Sequence, residues 1–158
     1  MLKKIIISFF ISMVPLIELR LALPYALTVG VPTLTAYIVC MVGNMLPVPV
    51  IFFFARKVLE WGKDKKYTGK FFTWCLEKGE KGGRKLEAKA GAGLYLALLL
   101  FVGIPLPGTG AWPGTLAASI LDMDFKKSML FVFLGLLLAA GIMLLASLGV
   151  FGAIHLMK

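Results

Sequence analysis

The sequence predicts an all-α integral membrane protein, organised as an inverted repeat of a re-entrant helical hairpin plus a transmembrane helix. Of the 158 residues, 59% are hydrophobic and the mean hydropathy is +0.91, whereas about half of a soluble domain is apolar. No Asp, Glu, Lys or Arg occurs in residues 21–55 or 128–157. Apolar runs longer than about 18 residues are typical of helices that span a bilayer.

Between these runs lies a strongly basic segment, residues 56–90. It carries eleven basic and five acidic side chains, and therefore most of the net charge. A short basic loop between apolar blocks is typical of the cytoplasmic side of a membrane. We expect this loop to be cytoplasmic or interfacial, in contact with membrane lipids. Because acidic residues interrupt the basic ones, we do not expect nucleic acid to be a partner.

The apolar blocks divide a single membrane domain, residues 1–158, into two similar halves. The predicted parts are repeat 1 at 1–55 (hairpin 5–29, transmembrane helix 31–55), the loop at 56–90, and repeat 2 at 91–158 (hairpin 91–121, transmembrane helix 128–157). At 1.5 Å per residue, each of the two predicted transmembrane helices is long enough to cross a hydrocarbon core of about 30 Å.

The hairpins are predicted from two interruptions in the apolar sequence. VPLIELRLALPYAL (14–27) contains two prolines and an acid–base pair, and IPLPGTGAWPGTL (104–116) contains three prolines and three glycines. Unpaired backbone groups are costly in hydrocarbon, so irregular backbone at membrane depth lies against protein or a wet cavity. Interrupted segments at corresponding positions of two halves are typical of transporter sites.

The distribution of charge supports an alternative topology. With the basic loop inside, two hairpins and two spans would place Lys3, Lys4 and Lys158 outside. Four full crossings would place all three inside with the loop, as the positive-inside tendency favours. The double interruption favours the hairpins, which we adopt as the prediction, with four crossings as the alternative.

Glu18 and Arg20 are the most informative candidate residues. An ionisable side chain at the centre of a membrane helix costs at least ~2.5–3.5 kcal/mol on insertion scales, so it indicates a function. In the functional interpretation Glu18 takes up and releases a proton, and the planar guanidinium of Arg20 binds an anionic group. In the structural interpretation the two side chains form an ion pair that stabilises the hairpin.

Other candidates lie around the two interruptions. Pro24 and Pro113 are predicted at the start of the second limb of each hairpin, where proline is favoured. The positive N-terminal end of each limb would then point into the membrane, with Thr109 and nearby N–H groups beside it. Alternatively these residues only shape the hairpin tips, and Asn44 either bridges two helices or lines the pathway. The predicted substrate and proton pathway comprises Glu18, Arg20, Pro24, Asn44, Pro107, Gly108, Thr109, Gly110 and Pro113.

The two interrupted segments also carry a family resemblance. PLIELRLALPYAL and IPLPGTGAWPGTLAA resemble the prokaryotic family of small multi-drug export proteins, over nearly the whole chain. That family in turn resembles the larger DedA superfamily. The resemblance implies a multi-pass protein of the prokaryotic inner membrane with two inverted re-entrant hairpins. It also implies movement of lipid carriers, phospholipids or drugs, dependent on the proton-motive force.

Matched to the DedA pattern by position, Glu18 corresponds to the acidic residue of the first hairpin. Pro107 and Gly108 correspond to the Pro-Gly of the second hairpin. DedA proteins flank that Pro-Gly with two arginines, whereas here those positions hold Ile104 and Gly110. The intramembrane cation of this chain is therefore Arg20, in the other hairpin.

These observations together predict a small, proton-coupled secondary transporter. Its substrate would be amphipathic and either anionic, like a lipid phosphate, or drug-like. The alternative is a non-transporting membrane protein that acts in assembly or in organising the bilayer. With one histidine and no catalytic constellation, we do not expect an enzyme, a metal site or a cofactor. We expect a homo-oligomer, most simply a dimer, because one chain has little protein with which to shield two broken hairpins.

Overall fold

Seven α-helices make up the regular structure of the part of the chain that is described. The computed structural model describes residues 1–15, 17–65, 67, 69–70, 73, 77 and 91–156. The helices are α1 (Leu2–Met13), α2 (Glu18–Thr28), α3 (Thr33–Met45), α4 (Pro47–Lys63), α5 (Ala92–Gly103), α6 (Ala111–Ile120) and α7 (Phe125–Leu156). Most of the predicted basic loop, 56–90, lies outside the described residues.

Two helical stretches are long and apolar enough to cross a membrane. They are Thr33–Lys63, with a mean hydropathy of 2.2, and Phe125–Gly149, with a mean hydropathy of 2.7. Only 33% and 28% of their most apolar windows are buried inside the molecule. A core helix of a soluble protein would be mostly buried, so these stretches have the character of lipid-facing helices. The molecule is a helical membrane protein.

The first of these stretches consists of α3 and α4 in succession. They meet at Leu46, which keeps a right-handed helical conformation and donates its N–H to the Val42 carbonyl at 3.0 Å. Pro47 then interrupts the helical hydrogen bonding because proline has no N–H to donate. Beyond this joint α4 continues past residue 55, the expected end of the span, as far as Lys63.

Four shorter helices form two pairs. Their lengths are 12 and 11 residues for α1 and α2, and 12 and 10 residues for α5 and α6. At 1.5 Å per residue such helices are about 15–18 Å long, roughly half of the hydrocarbon thickness. Neither helix of a pair can therefore cross a bilayer alone.

Each pair folds back on itself. Near the start of α1, the Lys4 ammonium donates to the carbonyl of Val29, just beyond the end of α2, at 2.5 Å. In the second pair, Tyr95 near the start of α5 accepts a hydrogen bond on its hydroxyl from the Asp124 N–H at 3.3 Å. Asp124 follows the end of α6. The outer ends of each pair are therefore neighbours.

In each half, the second short helix packs against the long helical stretch of the other half. The first short helix of each pair lies on the long helical stretch of its own half, α1 on α3 and α5 on α7. The second lies against the other half, α2 on α7 and α6 on α4. Because each half covers part of the other, the four short helices and the long stretches form one interlocked bundle.

α2 lies at the centre of this bundle. Its buried apolar residues follow helical spacing and form one face: Leu19, Ala22, Leu23 and Ala26. α6 instead buries small residues, among them Ala111, Gly114 and Ala118. Small side chains let helices approach closely, and at one such contact the Ser119 hydroxyl donates to the Phe52 carbonyl of α4 at 2.6 Å.

The expectation that the second limb of the first hairpin begins at Pro24 is wrong. α2 begins at Glu18, and Pro24 lies in its interior. The chain turns earlier, where Val14 is extended before Pro15, because the residue before a proline is disfavoured in a helix. Pro24 instead leaves the Arg20 carbonyl without its helical N–H donor. Pro113 is the third residue of α6, inside the first turn, where a missing N–H costs little.

Candidate functional site

The carboxylate of Glu18 caps the N-terminus of α6, although the two belong to different hairpins. Its two oxygens accept hydrogen bonds from the backbone N–H groups of Ala111 at 3.2 Å and Trp112 at 3.0 Å. These N–H groups have no partner within their own helix, and the helix dipole favours a negative charge beside them. The carboxylate is only 3% exposed, so its charge is stabilised by these donors rather than by bulk water.

Backbone geometry on both sides of this contact is unusual. Glu18 has a φ of 50°, in the left-handed region that a non-glycine residue adopts at a cost of ~1–2 kcal/mol. Gly110, with a φ of 138°, precedes α6, and a Cβ placed on it would lie 2.2 Å from Glu18 Oε2. The contact therefore requires a glycine at position 110, because any side chain would occupy the position of the carboxylate.

Arg20 binds the same interruption from the other side. Its guanidinium donates to the carbonyl oxygens of Leu106 and Ile104 and to the Thr109 hydroxyl at 2.7 Å. Thr109 in turn lies within hydrogen-bonding distance of both carbonyls, at 2.8 and 2.9 Å. The loop between α5 and α6 is thus held by one permanently charged side chain, which is only half-buried.

Glu18 and Arg20 do not form the ion pair of the structural interpretation. Both are among the described residues, and each makes its hydrogen bonds to the second hairpin instead. Their charges remain close enough to act on each other electrostatically. The pair therefore connects the two hairpins rather than stabilising the first one alone.

Asn44 of α3 is the third polar group at this site. It is fully buried, at 0% exposure, and its amide lies within hydrogen-bonding reach of the Glu18 carboxyl group. Neither its amide nitrogen nor its amide oxygen has a hydrogen-bond partner among the described residues. A buried amide without partners costs about 1–3 kcal/mol, so this site retains unused hydrogen-bonding capacity.

The structure brings together five of the nine predicted pathway residues: Glu18, Arg20, Asn44, Thr109 and Gly110. Pro107 and Gly108 lie in the same loop, exposed. Pro113 follows in the first turn of α6, and Pro24 lies further along α2. Ile104 and Gly110, at the arginine positions of the DedA pattern, contact Arg20 and Glu18; the relationship to that superfamily stays a prediction.

Sequence reasoning missed the backbone groups that complete the site. The N–H groups that donate to Glu18 belong to Ala111 and Trp112, just beyond the predicted donors beside Thr109. The oxygens that accept from Arg20 are the carbonyls of Ile104 and Leu106. A backbone group carries no side-chain signal. Only the start of a helix directly after Gly110 would have indicated the donors.

Within the described ranges, no three His, Cys, Asp or Glu side chains come together as a metal site would require. The site consists instead of one carboxylate, one guanidinium, one unpaired amide and two backbone N–H groups, where two interrupted helical hairpins meet in a strongly apolar bundle. Interrupted helices with charged groups at their ends define a class: helical membrane proteins with a site built on discontinuous helices.

The particular family follows from a comparison with family models. Residues 18–142 match the family described as "Putative small multi-drug export protein", so the chain belongs to the small multi-drug export protein family. The match begins at Glu18 and includes both interruptions. No curated protein and no solved structure matches the chain.

Proposed function

We propose that this protein is a small proton-coupled secondary transporter. Its substrate is amphipathic, with an anionic head group like that of a lipid phosphate or with a drug-like structure, and the protein lies in the prokaryotic inner membrane. The family description names export, which supports transport over catalysis.

The arrangement of the short helices supports two re-entrant hairpins in an inverted repeat. Each helix of a pair is too short to span alone, and the outer ends of each pair are neighbours, at Lys4 and Val29 and at Tyr95 and Asp124. The two inner interruptions meet each other at Glu18 and Ala111. Hairpins that enter from opposite sides and meet at their tips would place this contact near the middle of the membrane.

The observation that carries the proposal is the pair of hairpin-to-hairpin contacts made by Glu18 and Arg20. A buried carboxylate at a helix N-terminus changes its hydrogen bonding when it takes up a proton, since the neutral acid accepts those bonds less strongly. Arg20 keeps its charge throughout. Protonation of Glu18 therefore weakens its contact with α6 and leaves the contact of Arg20 with the neighbouring loop. A proton could in this way change which side of the membrane the site opens to.

Oligomerisation belongs to the same proposal. Large apolar side chains are exposed along α1, α3 and α4, among them Phe10, Leu34 and Phe54. Lipid or a second copy would cover them. We propose a homo-dimer, because closed two-fold pairs are the commonest symmetric assemblies.

Transport by purified protein in proteoliposomes tests the proposal. With an imposed pH gradient, we expect uptake of octyl phosphate or of ethidium, probes for the anionic and the drug-like substrate class. Glu18→Gln keeps the shape of the side chain but cannot titrate, so gradient-driven uptake should fall at least tenfold. Glu60→Gln is the matched control, because Glu60 is an exposed carboxylate that pairs with Arg56 on α4; its uptake should equal that of the wild type.

The alternative, a non-transporting protein of membrane assembly, is favoured by one observation. Both charged side chains make hydrogen bonds that hold the hairpins together. If folded wild-type protein moves neither probe under any gradient, and Glu18→Gln lowers only thermal stability, the transporter proposal is wrong and the assembly role stands.

A further inference from the structure

We propose that the Glu18 carboxylate is the resident occupant of an oxyanion site, and that the oxyanion head group of the substrate displaces it once Glu18 has taken up a proton. The inference rests on the proposed function, because it names the ligand class and the coupling of the same site. The site is formed by the N–H groups of Ala111 and Trp112 together with Arg20.

The chemistry of the donors defines the ligand. Two adjacent N–H groups at the start of a ten-residue helix bind one carboxylate in the structure, with one hydrogen bond to each oxygen. Phosphate, sulfonate and carboxylate groups present oxygen pairs of similar spacing, and helix N-termini bind such anions. Arg20 of α2, which contacts the adjoining loop, offers the further N–H donors of its guanidinium.

Asn44 provides a place for Glu18 after displacement. A primary amide has an N–H donor beside a carbonyl acceptor, and a neutral carboxylic acid has the complementary O–H and C=O. The two can therefore form a reciprocal pair of hydrogen bonds, whereas an ionised carboxylate could only accept from the amide nitrogen. Asn44 is fully buried, its amide lies within hydrogen-bonding reach of the Glu18 carboxyl group, and neither amide atom makes a hydrogen bond of regular geometry among the described residues, which is the arrangement that such a partner needs.

Charge balance couples binding of the substrate anion to binding of a proton by Glu18. With Glu18 ionised, Glu18 and Arg20 together are neutral; a bound monoanion beside an ionised Glu18 would leave one uncompensated negative charge in a buried site. Such a charge is strongly disfavoured in a medium of low dielectric constant. One proton from water must therefore bind Glu18 for each monoanion that enters, and the two travel in the same direction.

No other charged group complicates this balance in the described part of the chain. Arg20 is the charged side chain that acts on the Glu18 carboxyl group, from α2 itself. The facing groups from α6 are the two N–H groups and the facing group from α3 is the Asn44 amide, none of which titrates. Helices α1 and α7 bring no titratable side chain to it within that part.

Calorimetric binding of octanesulfonate to the purified full-length chain tests the inference, because a sulfonate keeps its charge across the working pH range. Measurements in two buffers of different ionisation enthalpy report the protons taken up. For the wild type we expect about one proton per bound sulfonate, and an affinity that falls about tenfold per pH unit where Glu18 is ionised.

Three variants separate the contributions of Glu18, Arg20 and Asn44 to sulfonate binding. Glu18→Gln should bind at least as tightly as the wild type in acid, independently of pH and without proton uptake. Arg20→Gln should lose binding at every pH. Asn44→Leu should weaken binding about tenfold in the wild-type background but not in a Glu18→Ala background, where no acid needs a partner.

The possible failures are distinguishable. Binding by the wild type without proton uptake, or pH-dependent binding by Glu18→Gln, would overturn the oxyanion site while leaving gradient-driven transport possible. Proton-coupled sulfonate binding without any transport in proteoliposomes would instead overturn the proposed function and leave the site. Should Glu18→Gln not fold, the Arg20→Gln and Asn44→Leu measurements still decide between these results.

Discussion

At the scale of single residues, the site depends on a left-handed glutamate that contacts a left-handed glycine. Glu18 adopts its costly conformation where it points its carboxylate at the start of α6, and Gly110 lies directly against that carboxylate. Strained backbone at a buried charged contact is typical of functional sites. Two glycines of the same loop differ in whether an added side chain would reach the carboxylate.

Gly110→Ala and Gly108→Ala form a matched pair. Both glycines have positive φ, 138° and 81°, but a Cβ on Gly108 would meet nothing within 4 Å. We expect Gly108→Ala to cost about 1 kcal/mol of stability from its backbone alone. Gly110→Ala should cost about 1–3 kcal/mol from its backbone, because φ 138° with ψ −172° is essentially confined to glycine, and about 1–2 kcal/mol more from the lost cap of α6. Thermal unfolding in detergent measures both. Equal losses for the two variants would contradict the contact between Glu18 and Gly110.

At the scale of helices, glycine determines how closely the short helices approach the long ones. Gly43 lies against Ser12 and Phe9 where α1 meets α3, and Gly135 lies against Leu99 and Val102 where α5 meets α7. Equivalent contacts thus occur in both halves. Membrane helices pack closely at small residues because lipid supplies little hydrophobic driving force between them.

Gly135→Ala should open the contact between α5 and α7. The added Cβ would lie 2.7 Å from the Leu99 carbonyl oxygen, which is backbone and cannot move alone; such overpacking costs about 1–3 kcal/mol. Gly141→Ala, in the same helix with nothing within 4 Å, should instead stabilise by about 0.5–1 kcal/mol through helix propensity. Opposite shifts in melting temperature are expected; a stabilised Gly135→Ala would argue against this packing.

At the scale of the whole molecule, the contacts between the ends of each hairpin bear on the topology. The hydrogen bond from Lys4 to Val29 joins the two outer ends of the first hairpin. In the proposed re-entrant topology both ends lie on one side of the membrane, whereas four full crossings would place them on opposite sides. The positive-inside tendency favours the second arrangement, so an experiment is needed.

Cysteine accessibility in intact cells distinguishes the two topologies. Cysteines at Thr28 and in an N-terminal tag should react from the same side of the membrane, and a cysteine at the exposed Tyr67 from the opposite side. Impermeant maleimide with and without cell lysis provides the measurement, with a Cys40→Ser, Cys75→Ser background as control. Opposite sides for Thr28 and the N-terminal tag would replace the hairpins with four spans.

The class of protein and the location of its site follow from local sequence. Long uncharged runs indicate membrane helices because a charge in hydrocarbon is costly. Two interruptions rich in proline and glycine indicate irregular backbone, which membrane proteins keep where it is functional or shielded. These signals identified Glu18, Arg20, Thr109 and Gly110, and the family, without any coordinates.

Tertiary structure alone decided which groups meet. Glu18 and Arg20 are two residues apart and suggested an ion pair, but the fold directs both to a loop more than 80 residues away. Apart from the Thr109 hydroxyl, their partners there are backbone N–H and C=O groups, which no sequence pattern distinguishes. Whether Asn44 finds a partner likewise depends on how α3 packs. The apolar pattern determines which segments are buried, whereas the pairing of polar groups depends on the relative positions of helices distant in sequence.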